Sequence, residues 1–198
     1  MTRAQIPQTL SQLPLFRRLV TEAPEDGSRA ANEGLPVVDA AQEALGAVLA
    51  AQEVDLVYVG ISRSGLALAP TWLNLPEEYN ATNRPWYRVA IGKRGLAFTD
   101  PYLDLAGDEE EYVVSASHPV QNLQGQIAGV AAVDFRLDTV REIIEERSIQ
   151  AGEIYQLTRS GRVIYHPALE QDEPASPPGR GSGRRPPTWR SPPRRWSR

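Results

Sequence analysis

The spacing of apolar residues changes along the chain, and the changes mark out its elements. Residues 5–20 place Ile6, Leu10, Leu13 and Val20 at helical spacing, while Pro7 and Pro14 interrupt the run, so one or two short helical pieces are predicted. Residues 21–34, rich in Glu, Asp, Gly and Ser, read as a loop. Over 36–53, Val37, Ala41, Leu45, Val48 and Leu49 fall on one helical face, with Pro36 acceptable as the first helical residue.

After that helix the pattern shortens to alternation. Residues 55–72 give two β runs joined by the turn Arg63-Ser64-Gly65, a hairpin signature. Residues 73–95 are irregular, with one helical turn expected around 86–91, and a connection of that length between strands is a common place for function. The segments 96–105, 111–120 and 126–135 are strand-like, the last two joined by a tight turn at 122–125. The whole predicts an α+β fold: an antiparallel sheet of about five strands with helices packed on a single face. Residues 137–149 predict a further helix capped by Asp138, with Val140, Ile143 and Ile144 on one face. Residues 153–167 predict a hairpin turning at Arg159-Ser160-Gly161, the start of a second sheet.

Composition changes this picture mainly at the C-terminus. Residues 174–198 hold seven Arg and seven Pro, with no acid and no aliphatic residue larger than Ala175. Such a segment buries too little to repay its ordering entropy and is expected to be disordered; its texture also resembles a GC-rich reading frame out of register. The chain therefore divides into an N-terminal helical and loop segment (1–34), a sheet module (35–149), a connecting hairpin (150–173) and a basic tail (174–198). Residues 1–173 carry a net charge of −11, and an acidic body argues against nucleic-acid binding. Cysteine is absent, which excludes thiol catalysis, disulfides and Cys-based zinc sites. The N-terminus lacks the continuous apolar core of a secretory signal, and nowhere do about 18 apolar residues run together.

Candidate chemistry concentrates in YNATNRPWY at 79–87, which gathers Tyr79, Arg84, Trp86 and Tyr87 in a loop expected to lie against the sheet. A guanidinium beside an indole N–H and two phenols is a donor set suited to a carboxylate. The plain alternative is a surface loop in which Arg stacks on Trp. Tyr102 and Asp104, two apart on an extended segment, can share one face. Asp134 closes the apolar run AGVAAVDF, where an unpaired charge costs several kcal/mol. It needs a cation, a ligand ammonium among the candidates, unless it caps the helix near 138 or pairs with Arg136 or Arg84. Asp104 stands equally well as a turn residue. His118 and His166 each precede a proline without metal-ligand spacing, so no metal or cofactor is expected. No activated-nucleophile, phosphate-loop or metalloprotease motif occurs, and the chain reads as a binding module rather than an enzyme.

The order of these residues, with the GVAAVD strand and the GRVIYHP hairpin, resembles the double Cache sensor domain of bacterial chemoreceptors and sensor kinases, in its amino-acid-recognising subset. The resemblance covers about 55–167 and implies a PAS-like module. It implies that Tyr79, Arg84, Trp86 and Tyr87 bind the carboxylate of an α-amino acid, and that Tyr102, Asp104 and Asp134 meet its ammonium. It further implies signal transduction in chemotaxis, a periplasmic location, and homodimerisation through a long N-terminal helix, which Pro7, Pro14 and the 27–34 loop would here break. The sequence leaves open another small ligand, such as a carboxylate, an amine or a purine, and equally a receptor fragment without signalling output, because the flanking transmembrane helices of the family are absent from it.

Overall fold

The computed structural model describes residues 3–52, 54–106, 111–137, 156–157 and 163–165. A 3-10 turn at Arg3–Gln5 leads into α1 (Ile6–Gln12) and α2 (Pro14–Glu22). Pro7 lies in the first turn of α1 and Pro14 begins α2, where a missing N–H leaves no helical bond unmade. Leu13 between them is extended (φ −71°, ψ 132°), the conformation favoured before proline. It points outward, 41% exposed, contrary to its expected place on the apolar face. Phe16 and Leu19 enter the core instead, beside Ile6, Leu10 and Val20. The expected loop at 21–34 contains one short helix, α3 (Arg29–Asn32), capped by the Ser28 hydroxyl. The helix α4 (Pro36–Ala51) buries Val38, Ala41 and Leu45, with Val37, Val48 and Leu49 flanking them, so its inner face is turned slightly from the sequence reading.

The strands are β1 (Leu56–Ile61), β2 (Ala67–Leu68), β3 (Ala97–Phe98), β4 (Tyr102–Leu103), β5 (Tyr112–Gln121) and β6 (Ile127–Arg136). They form one antiparallel six-stranded sheet in the order β2-β1-β6-β5-β3, with β4 also pairing β5. The count exceeds the expected five because residues 96–105 break at Asp100-Pro101 into two short strands; proline has no N–H to give the ladder. The helix expected around 86–91 is a nine-residue element, α5 (Pro85–Lys93).

Alternation sorts each long strand onto two faces. Val57, Val59 and Ile61 of β1 and Ala131 and Val133 of β6 pack under α1, α2 and α4. Tyr58, Val130 and Ala132 point the other way, against Trp86, Tyr87 and Ala90 of α5. The sheet is thus covered on both faces, which corrects the expectation of helices on one. Beyond it, β7 (Gln156–Leu157) and β8 (Val163–Tyr165) pair antiparallel as a separate two-stranded sheet. The helix expected from Asp138 onward, the turn at 159–161, His166 and the basic tail 174–198 lie outside the described residues.

Candidate functional site

The site is built where the 79–87 segment folds over the α5 side of the sheet. Gly65, in the left-handed region at φ 70°, turns the β1–β2 hairpin and accepts the Ala81 N–H at 2.8 Å. A Cβ there would lie 2.7 Å from the Asn80 side chain, so the hairpin turn and this loop fit only with glycine. Asn80 Oδ1 accepts the Thr82 N–H at 2.9 Å and starts a 3-10 turn at Ala81–Asn83. Pro85 then opens α5 and holds Arg84 extended (φ −78°, ψ 151°). The guanidinium consequently leaves the helix start sideways, and its Nη2 donates to the Leu103 carbonyl at 2.8 Å. It lies 5.4 Å from the Tyr102 ring centroid and 5.9 Å from that of Tyr79.

Trp86 is seated on the sheet by a missing side chain. A Cβ on Gly60 would meet Trp86 Cη2 at 2.5 Å, so glycine in β1 is what lets the indole approach. The ring stands edge-on to Tyr58, with centroids 4.8 Å apart at 81°. Ser117 Oγ donates to the Trp86 carbonyl at 2.8 Å and ties α5 to β5.

Sheet register brings Leu56, Asp134 and Ser115 side by side across β1, β6 and β5. Asp134 is 2% exposed. Its Oδ1 accepts from the Tyr58 hydroxyl at 2.8 Å and from Ser115 Oγ at 2.5 Å, and the Ser115 hydroxyl also bonds that of Tyr102 at 2.7 Å. Among the described residues no cation lies within salt-bridge distance of Asp134; Arg136, the neighbour expected to pair with it, faces Asp55 and Glu111 instead. Burial pushes the Asp134 carboxyl up to about 7; the Ser115 and Tyr58 hydrogen bonds oppose this, and Asp104 and Asp55 add to it. Burial also raises the Tyr58 and Tyr102 phenols, with Asp134 reinforcing both.

Between these two groups lies a cleft of about 280 Å³, counted out to its open mouth. Its polar walls are Arg84, Tyr79 and Trp86 on one hand and Asp134, Asp104, Tyr58 and Tyr102 on the other. Burial pushes the Tyr79 phenol up to about 12, against the Arg84 charge and the Trp86 indole N–H, both of which favour its ionised form. Asp104 stands in a turn, its Oδ1 accepting the Ala106 N–H at 3.0 Å, and it also lines the cleft. No described carboxylate pairs with Arg84. Among the described residues, one cavity thus carries a cation without an anion and an anion without a cation.

Of the residues singled out in the sequence, Tyr79, Arg84, Trp86, Tyr102, Asp104 and Asp134 line this cleft together, and Tyr87 does not. Tyr87 sits behind Trp86, centroids 5.4 Å apart, with its hydroxyl bonded to that of Ser62 at 2.5 Å. Sequence reasoning missed Tyr58, Ser115 and Gly60. A hydroxyl or a glycine interrupting an apolar strand was the available signal, but its meaning depends on which face the residue takes and what register sets beside it. His118 is remote from the cleft, with Nδ1 bonding Ser11 Oγ and the Pro119 carbonyl, each at 2.9 Å. Among the described residues no group of His, Asp and Glu is arranged to hold a metal ion, and no helix is long and apolar enough to cross a membrane.

Residues 43–142 match the model of a family described as methyl-accepting chemotaxis protein-like, first PDC sensor domain. The chain is 31% identical over 127 residues to the methyl-accepting chemotaxis protein PscA of Pseudomonas syringae pv. tomato, covering 64% of this chain and 20% of that one. It is 30% identical over 115 residues to PctB of Pseudomonas aeruginosa, covering 58% and 18%. The match spans about a fifth of these curated relatives' length. Among solved structures, the ligand-binding domain of the P. aeruginosa amino acid chemoreceptor PctB in complex with L-Arg superposes with a TM-score of 0.58 at 25% identity, over 83% of this chain and 62% of that one. The ligand-binding domain of the Pseudomonas fluorescens chemoreceptor CtaA in complex with L-valine shares the fold, with a TM-score of 0.59 at 19% identity over 84% and 65%. The chain belongs to the methyl-accepting chemotaxis protein-like sensor family, and its sheet module is a first PDC sensor domain of that family.

Proposed function

We propose that the cleft binds a free α-amino acid and that the chain is the sensing portion of an extracytoplasmic chemoreceptor. The ligand carboxylate docks on Arg84, with the Trp86 indole and Tyr79 hydroxyl completing its donors. The ammonium sits against Asp134 and Asp104, with Tyr102 alongside. Tyr87 acts from behind, holding Trp86 in place. The observation that carries this reading is a pair of charges of opposite sign lining one cleft, Arg84 and the buried Asp134, neither compensated by a described residue. A zwitterion supplies both missing partners at once, and each bond forms in a partly desolvated site where it counts for more than in water. The chemoreceptor domains that superpose on the chain support the same reading, PctB having been solved with L-Arg and with L-Gln. The Tyr58 and Ser115 hydroxyls fix the Asp134 carboxyl in place for binding.

Calorimetric titration of the full chain with the standard amino acids tests the proposal. At least one should bind with millimolar affinity or better, and Arg84→Ala should weaken it about 10–100-fold, the loss expected for a charge-assisted pair. A protein that is folded by circular dichroism but binds none of them would sink the reading. Affinity unchanged in Arg84→Ala would move it to a ligand without a carboxylate.

A further inference from the structure

The polar groups account for only part of the cleft. Among the described residues, the charged side chains that line it are Arg84, Asp104 and Asp134, which the reading above assigns to the head group. The rest of the lining is Leu56, Ala67, Leu73, Leu75, Leu105 and Ala106. None of these has a side-chain donor or acceptor, and they arrive from separate places: the start of β1, β2, the connection after β2 and the segment after β4. We propose that the cleft is selective for amino acids with small or medium aliphatic side chains and rejects those with charged or amide side chains. This rests on the amino-acid reading above.

Two physical arguments carry it. An ammonium, guanidinium, carboxylate or amide placed among these six residues gives up its hydrogen bonds to water and finds no side-chain replacement among them, a penalty the aliphatic wall does not recover. An aliphatic side chain in the same place gains by leaving water, and pockets of this kind resolve a single methylene by roughly tenfold or more.

The test is a calorimetric panel on the full chain at pH 8: glycine, alanine, valine, leucine and isoleucine against asparagine, glutamine, glutamate, lysine and arginine. The aliphatic members should bind about tenfold or more tighter than the amide and charged members. Leu75→Asn, a substitution on a half-buried loop position, should narrow that gap by weakening leucine or valine about tenfold while shifting glycine by no more than about threefold. Charged or amide amino acids binding as tightly as leucine would overturn the selectivity and leave the head-group site standing. Absence of binding by every amino acid would overturn the selectivity together with the reading beneath it. Equal weakening of glycine and leucine in Leu75→Asn would show that Leu75 does not contact the side chain and would also count against it.

Discussion

The two faces of the sheet are built from the same strands and serve opposite ends. Under α1, α2 and α4 the buried sheet residues of the cluster are aliphatic, with Val57, Val59, Ile61, Ala131 and Val133 meeting Phe16, Leu19, Val38 and Leu45. Under α5 the same strands present Tyr58, Ser115 and Asp134, and the covering helix leaves a cleft open beside Trp86. The first face is filled by apolar side chains. The second holds a carboxylate 2% exposed with no cation among the described residues, an arrangement unfavourable to the empty protein that the proposed ligand would correct. Stability and recognition are divided between the two sides of a single β-sheet.

The largest effect that would sharpen this contrast lies on the helix-covered face. Phe16 is fully buried there, and Phe16→Ala should lower the unfolding free energy by about 3–5 kcal/mol in a urea titration. The fraction that remains folded should keep its ligand affinity within about threefold. Next comes the seam between the faces. Gly60→Ala puts a Cβ within 2.5 Å of the Trp86 ring and 3.1 Å of Tyr87, both buried and unable to move aside freely. It should cost about 1–3 kcal/mol and, unlike Phe16→Ala, should also weaken amino-acid binding about tenfold or more by displacing Trp86. Equal effects of the two substitutions on binding would break the comparison.

Much of this division could be read in the sequence, for local reasons. Tyr79, Arg84, Trp86 and Tyr87 fall within nine residues, and Pro85 fixes where the arginine points, so their clustering needs no knowledge of tertiary contacts. Asp134 announced itself as an acid closing an apolar strand. What stayed hidden depends on register. Ser115 meets Asp134 because β5 and β6 pair in one alignment, and Tyr58 reaches it because alternation turns residue 58 away from Val57 and Val59. The second covering helix was obscured for another reason. α5 buries only Trp86, Tyr87 and Ala90, while the exposed Pro85, Arg88, Gly92 and Lys93 dilute its period. Tyr87 was grouped with the ligand-facing residues by adjacency in sequence, but consecutive helical residues point about 100° apart, and it faces Ser62.

The most diagnostic effect is on stability as a function of pH. Because burial holds the Asp134 carboxyl near 7 against an ordinary value of 3.8, the folded protein keeps a proton between those limits that the unfolded chain releases. Stability should therefore fall as pH rises from about 4 to 7, with the full penalty present above about 7, while affinity for an ammonium-bearing ligand rises over the upper part of the same window. Asp134→Asn keeps an acceptor for Tyr58 and Ser115 and removes the charge. Measured side by side at pH 8, by urea unfolding without ligand and by calorimetry with leucine, the variant should be more stable than the wild type by about 1–2 kcal/mol and should bind leucine about 100-fold more weakly. A variant that is less stable at pH 8, or that binds leucine as well as the wild type, would contradict the claim that this face carries an uncompensated carboxylate for the sake of its ligand.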